Sequence, residues 1–132
     1  MSTFHINVPP IKVTISQLSD ILTTAVEGGS HYWLAAEDIK REKDGSVYLI
    51  TKPFDVETSR SFDMSNFQPF FFPRNIDLSV ILKGLQIACD QHDKYSKLVS
   101  RIMLLSLDSA DFDAGDCDLI LQLGFFGDVV YG

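Results

Sequence analysis

The stretch Thr14–Trp33, TISQLSDILTTAVEGGSHYW, decides the fold. Thr14 is placed to cap a helix, with Gln17 three residues on as a capping box needs. Val13 and Leu18 stand where a hydrophobic staple forms. Leu18, Ile21, Leu22, Ala25 and Val26 then recur at helical spacing and make one apolar stripe. Gly28-Gly29 ends the helix by offering a residue free to take positive φ. Tyr32 to Ala36 follows at once and reads as a strand. A helix with one apolar face that runs straight into a strand calls for a sheet to pack on, which predicts an α+β domain.

Upstream of that stretch, Phe4, Ile6 and Val8 alternate with His5 and Asn7 as a strand does, until Pro9-Pro10 forbids its continuation. Downstream, a polar stretch reaches the turn Lys43-Asp44-Gly45, and Val47–Thr51 is a second β-rich run, so the two runs pair as a hairpin. Pro53 ends it. Val56–Met64 adds a more polar strand, and Asn66–Pro73, holding Phe67, Phe70, Phe71 and Phe72 between prolines, reads as an extended, buried connector. Asp77 caps a second helix carrying Leu78, Ile81, Leu82, Leu85, Ala88 and Cys89 and ending near Asp93. Gly84 inside it costs ~1 kcal/mol relative to Ala, a cost that points to close approach of another element. Tyr95, Leu98, Val99, Ile102 and Met103 form a further helical stripe. Leu107–Asp118 reads as an acidic loop, with Asp113 or Asp116 capping a last helix over Leu119–Phe125. Phe126-Gly127 breaks that helix, leaving Asp128–Tyr131 as a short strand or extended tail. The expected fold is one domain over residues 1–132, a small antiparallel sheet with three to four helices packed on it.

Composition limits the functional classes. The 132 residues are 45% apolar, enough for one real core without staples. Cys89 and Cys117 both fall on apolar helix faces and read as buried thiols, with no CxxC or Cys/His cluster to hold a metal. Met1–Val8 has neither the basic nor the apolar region of a signal peptide, and no apolar run is long enough to span a bilayer. These features predict a soluble cytoplasmic protein with no cofactor and no membrane partner. The net charge of −7 opposes direct nucleic-acid binding, which draws its affinity from Lys and Arg. Acidity fits either simple solubility or mimicry of a polyanion toward a basic partner.

Two constellations are candidate sites. The first, Glu27-Gly28-Gly29-Ser30-His31-Tyr32-Trp33, places a carboxylate, a hydroxyl and two amphipathic rings at a helix-to-strand junction. Such a junction can hold a planar ligand by stacking on Tyr32 or Trp33, with Glu27 or Ser30 fixing its polar edges. Read blandly, it is a glycine cap followed by a core Trp. The second is the apolar end, Gly124 to Gly132, whose candidates are Phe126, Asp128 and Tyr131; core anchoring is the plain reading and an oligomer interface the other. Catalytic templates fail: there is no GxSxG, P-loop, HExxH or GxGxxG. Asp111-Phe112-Asp113-Ala114-Gly115-Asp116 lacks the EF-hand spacing and its terminal Glu. No catalytic or metal residue is therefore expected.

Taken together, Thr14–Trp33, a capped helix running into EGGSxYW, and Asp116–Gly132, with its LQLxxFG[DE]VVYG pattern, resemble the two ends of a family of small, mostly uncharacterised bacteriophage proteins. The Leu78–Leu85 segment running into Gly-Leu-Gln is similar as well. The resemblance implies a phage origin and a host cytoplasm. Small accessory phage proteins are often antagonists of host defence. The leading expectation is thus a non-catalytic protein that sequesters a small, nucleotide-type ligand, with a homo-oligomer building the pocket. The alternatives are an acidic inhibitor of a basic, nucleic-acid-binding host enzyme, an unrecognised small hydrolase using Glu27, His31 or Asp128, and a structural or regulatory phage protein with no ligand.

Overall fold

A computed structural model describes residues 11–30, 33–34, 36–51 and 75–131. Helix α1, Ile15–Thr24, starts as expected: the Thr14 hydroxyl accepts from the Gln17 amide and the Gln17 side chain returns to the Thr14 amide. The stripe Leu18, Ile21, Leu22 is buried. The helix does not end on a positive-φ glycine. It widens into one π-helical turn, Ala25–Gly29, closed by the Ser30 amide donating to the Ala25 carbonyl at 2.6 Å. Among the described glycines only Gly45 and Gly127 take positive φ. Gly29 is required for another reason: a Cβ there would meet the Ala114 carbonyl oxygen at 2.1 Å. A side chain would hold the π turn away from the last helix.

The sheet is antiparallel, ordered β1 (Ala36–Arg41), β2 (Val47–Thr51), β3 (Asn75–Ile76). The hairpin is present, but its first strand is the polar stretch rather than Tyr32–Ala36. Trp33 and Leu34 donate to the Ser30 carbonyl in a tight turn, and among the described residues pairing begins at Ala36. Register decides this: Ile39 opposes Leu49 and Arg41 opposes Val47. β1 is largely exposed, so its hydropathy carries little strand signal. In β2, Val47, Leu49 and Thr51 face inward. Ile11–Val13 lies outside any strand, and the expected elements over Phe4–Val8, Val56–Met64 and Asn66–Pro73 fall outside the described residues.

Asp77 caps α2, Leu78–Asp90, with its carboxylate accepting from both the amide and the hydroxyl of Ser79. The helix stops three residues short of Asp93. Helix α3, Ser96–Ile102, buries Leu98, Val99 and Ile102 and leaves Met103 outside it, half-exposed. A 3-10 turn, Leu105–Leu107, ends on Asp108 in the left-handed region at φ 51°. Helix α4 spans Ala114–Phe126, so the acidic loop ends at Asp113, five residues earlier than the hydropathy pattern indicates. Asp113 and Asp116 form a second capping box. Most of α4 is buried, from Asp116 to Asp118 and from Ile120 to Gly124, which makes it the central helix of the fold.

α2 and α4 share the main helix seam, and glycine makes it possible. A Cβ on Gly84 would sit 2.0 Å from the Ile120 carbonyl oxygen, and one on Gly124 would sit 1.8 Å from that of Val80. The two backbones therefore touch, as Gly84 implied in the sequence. The α+β architecture, with four α-helices and a small antiparallel sheet among the described residues, matches the expectation.

Candidate functional site

The two sequence constellations meet in space, and the residue that joins them belongs to neither. Asp118, one turn into α4, is 7% exposed. Its Oδ1 accepts from the Ser30 hydroxyl at 2.8 Å and from Trp33 Nε1 at 2.7 Å. Its Oδ2 accepts from Gln122 Nε2 at 3.0 Å. Gln122 follows at i+4 on the same helix face and is completely buried. Its carboxamide reads the backbone of the final segment: Oε1 accepts from the Val130 and Tyr131 amides at 2.9 and 2.8 Å, and Nε2 donates to the Tyr131 carbonyl at 3.0 Å. Buried polar groups must find partners, and here they find one another.

Aromatic packing covers this network. Trp33 stacks on Tyr131 with centroids 5.5 Å apart and planes 9° off parallel, while Phe126 tilts against both. Such offset and edge contacts add ~0.5–1.5 kcal/mol each beyond buried area. Gly127, in the left-handed region at φ 78°, turns the chain out of α4 so that the final segment can fold back onto Trp33. Asp128 then lies on the surface, its carboxylate accepting from the Val129 amide and pairing with Lys94 at 3.4 Å. These contacts hold its carboxyl below the usual range, the amide contributing first.

The sequence-picked residues thus separate. Ser30, Trp33, Phe126 and Tyr131 come together. Gly28 and Gly29 pack on the start of α4. Glu27 is exposed on the π turn, and Asp128 is exposed at the clip to Lys94. Tyr32 and His31 lie outside the described residues. In the sequence Asp118 stands as the last residue of the acidic run and Gln122 as the Gln of LQLxxFG; the structure makes them an i, i+4 pair on one helix face. In the acidic run, Asp113 is turned to its own capping box. Asp116 accepts Arg101 Nη1 on both oxygens at 2.6 Å.

A second location gathers three more carboxylates. A groove of about 190 Å³ opens between α1 and the 105–112 segment. Ile21, Leu105, Phe112 and Cys117 line it, with Asp20, Asp108 and Asp111 among them and no Lys or Arg among the described lining residues. Gln17 braces one wall by donating to the Leu105 carbonyl and to Asp108 Oδ1 at 2.9 and 3.0 Å. Burial, aided by Asp116 and Asp113, pushes the Cys117 thiol up to about 12.

The missed sequence signal for this groove is where cations are absent. Residues 13–39 hold Asp20, Glu27, Glu37 and Asp38 but no Lys or Arg, and residues 102–132 hold six Asp and no Lys or Arg. All 11 basic residues lie elsewhere in the chain. The two cation-free segments pack together, since α4 contacts both α1 and the π turn. Comparison with family models, with curated proteins and with solved structures found no match.

Proposed function

We propose that the protein is a phage-encoded, non-catalytic antagonist of bacterial defence that works by presenting an acidic face to a basic, nucleic-acid-binding host enzyme. One observation carries this reading: the two segments devoid of Lys and Arg pack against each other, and the exposed Asp20 of one stands with the exposed Asp108 and Asp111 of the other around a single groove. A face of one sign raises encounter rates with an oppositely charged partner and repels nucleic acid itself. The test is capture of bacterial lysate proteins on the immobilised protein over a salt series, with the triple variant D20N/D108N/D111N alongside. Basic nucleic-acid-binding proteins should be retained at low salt, released as salt rises, and lost with the variant. Capture that ignores both salt and the three substitutions would sink the reading.

The half-buried rings of Trp33, Phe126 and Tyr131 favour a second reading, a sequestered nucleotide-type ligand. Trp33 and Tyr131 are already in stacking contact, so a planar ligand would take the place of Tyr131 rather than slip between the rings. Ser30 and Asp118 already bond each other. Native mass spectrometry of protein purified from bacteria tests it: an extra mass per protomer or dimer, lost in Trp33→Ala, would favour the ligand over the acidic face. Retention of that mass in both Trp33→Ala and Glu27→Ala would place the ligand elsewhere.

A further inference from the structure

We infer that the outer edge of β1 pairs with β1 of a second copy of this chain, antiparallel, about a two-fold axis between Ile39 and its copy. β1 stands at one end of the strand order, and among the described residues only β2 pairs with it. The hairpin fixes which way its backbone groups point. Just past the end of β1, the Glu42 amide donates to the Ser46 carbonyl at 2.8 Å, which makes these two residues a hydrogen-bonded pair. Such pairs alternate along an antiparallel ladder, so Asp38 and Lys40 turn their amides toward β2 while Ile39 and Arg41 turn theirs outward. The Ile39 amide agrees with this: it donates at 2.8 Å to the carboxylate of its own neighbour, Asp38. An edge amide held by an exposed side chain is a donor that an incoming strand can take over.

Charge selects the occupant. Glu37-Asp38-Ile39-Lys40-Arg41 runs as two acids, one apolar residue and two bases. Against a reversed copy of itself it sets Asp38 opposite Lys40 and Glu37 opposite Arg41, each twice, with Ile39 opposite Ile39. This is the self-complementary pattern that a two-fold interface requires. Outward backbone groups must meet outward ones, so the register can change only in steps of two residues. The nearest alternatives put Asp38 on Asp38 or Lys40 on Lys40, and like charges directly opposite are unfavourable. An edge carrying one sign of charge repels its own copies. Here the signs are divided between the two halves, which guards against the wrong registers and admits this one. The Asp38–Lys40 pairs lie in the regular part of the strand and carry the register, whereas Glu37 sits at the irregularity between Ala36 and Asp38. Within one chain Asp38 and Lys40 already pair at 2.9 Å, both half exposed, and exchanging one exposed ion pair for another costs little. Ile39 is half-buried opposite the buried Leu49, so its copy extends the apolar face of the sheet.

Sedimentation equilibrium of the full chain over a concentration and salt series tests this. A monomer–dimer equilibrium is expected, weakened as salt rises. Two variants separate β1 from any other surface. E37K/D38K makes the charges of the run wholly basic and K40E/R41E makes them wholly acidic. Each alone should dimerise at least about tenfold more weakly than the unaltered chain, because every charged cross-strand pair becomes like against like. Mixed in equal amounts, the two should form a heterodimer at least as tight as the original homodimer, since every pair is again opposite in sign. Rescue on mixing also shows that neither variant has merely unfolded. A chain that stays monomeric at the highest concentration and lowest salt overturns the inference. So does a dimer that both variants form as tightly as the unaltered chain, which places the contact elsewhere, and so does loss in both without rescue on mixing. None of these outcomes touches the acidic-face reading, whose test lies at Asp20, Asp108 and Asp111.

Discussion

Asp118 and Asp108 belong to one acidic run in the chain, yet they meet opposite surroundings. Asp118 is enclosed by a hydroxyl, an indole N–H and a carboxamide that all donate to it. Asp108 accepts from one carboxamide and otherwise faces water at the edge of a groove. A carboxylate taken out of water is tolerated only when fixed donors replace its hydration. It then organises whatever surrounds it, here the π turn, Trp33 and the final segment. A carboxylate left mostly in water makes one local contact, here with Gln17, and keeps the rest of its surface available to something outside the fold. The same residue type thus builds the fold in one place and marks a surface in the other.

Several substitutions break or sharpen that contrast. The largest effect is expected at the seam that positions α4 and with it Asp118. Gly124→Ala drives a methyl group into the Val80 carbonyl, backbone against backbone with no side chain able to give way. A loss of about 3 kcal/mol or more in denaturant unfolding is expected. A loss below half a kilocalorie would mean that the helices are further apart than described.

Next comes the internal carboxylate itself. Asp118→Ala removes the carboxylate that accepts from the Ser30 hydroxyl, the Trp33 N–H and Gln122 Nε2, and should cost about 3 kcal/mol, with Asp118→Asn recovering part of it by keeping one acceptor oxygen. Trp33 fluorescence should shift in step with the unfolding midpoint. An Asp118→Ala protein of unchanged stability would show that the network is ornament rather than support.

Cys117 reports on the boundary between the two regions, since it is buried in α4 yet lines the groove. Its thiol is held up to about 12 by burial, so it should react with a thiol reagent at pH 8 more than about tenfold slower than an unfolded control. The sign of the linkage follows. A folded-state value above the unfolded one gives stability that is whole below the unfolded thiol value, ~8.5, and is lost as pH climbs toward the folded one. Unfolding midpoints should therefore fall above pH 9, and fall less in Cys117→Ala. Equal slopes for the two proteins would assign the alkaline loss to other groups.

The smallest expected effect lies at the groove. Asp108→Asn with Asp111→Asn should leave stability within about 0.5 kcal/mol, because exposed side chains of this kind contribute little to folding. A substantial destabilisation would place these residues in the same class as Asp118 and erase the contrast.

Much of the architecture could be read directly. The Thr14-Gln17 box, the Asp77 cap, the hairpin around Gly45 and the apolar stripes are local patterns, and local backbone sterics and hydrogen bonding enforce them. Gly84 also announced a close approach, because glycine inside a helix is unfavourable unless something needs the space. The strand at Ala36–Arg41 escaped notice because an exposed edge strand has no buried face to pattern its residues. The positive-φ reading of Gly28-Gly29 gave way for a related reason. Local propensity allowed a left-handed cap, but packing against Ala114 favoured a continued π turn with room for no Cβ.

The site divides along the same line. Its ingredients at both ends of the chain stood out by composition, as rings and glycines tend to. Their meeting through Asp118 and Gln122 did not, because which of several aspartates is buried depends on donors that arrive from distant parts of the chain. Composition by itself determined the acidity, the helix stripes and the caps, all of which need only near neighbours. Tertiary structure decided which carboxylates turn inward and which remain at the groove, because enclosing a charge requires fixed donors on several sides at once and no single segment supplies them.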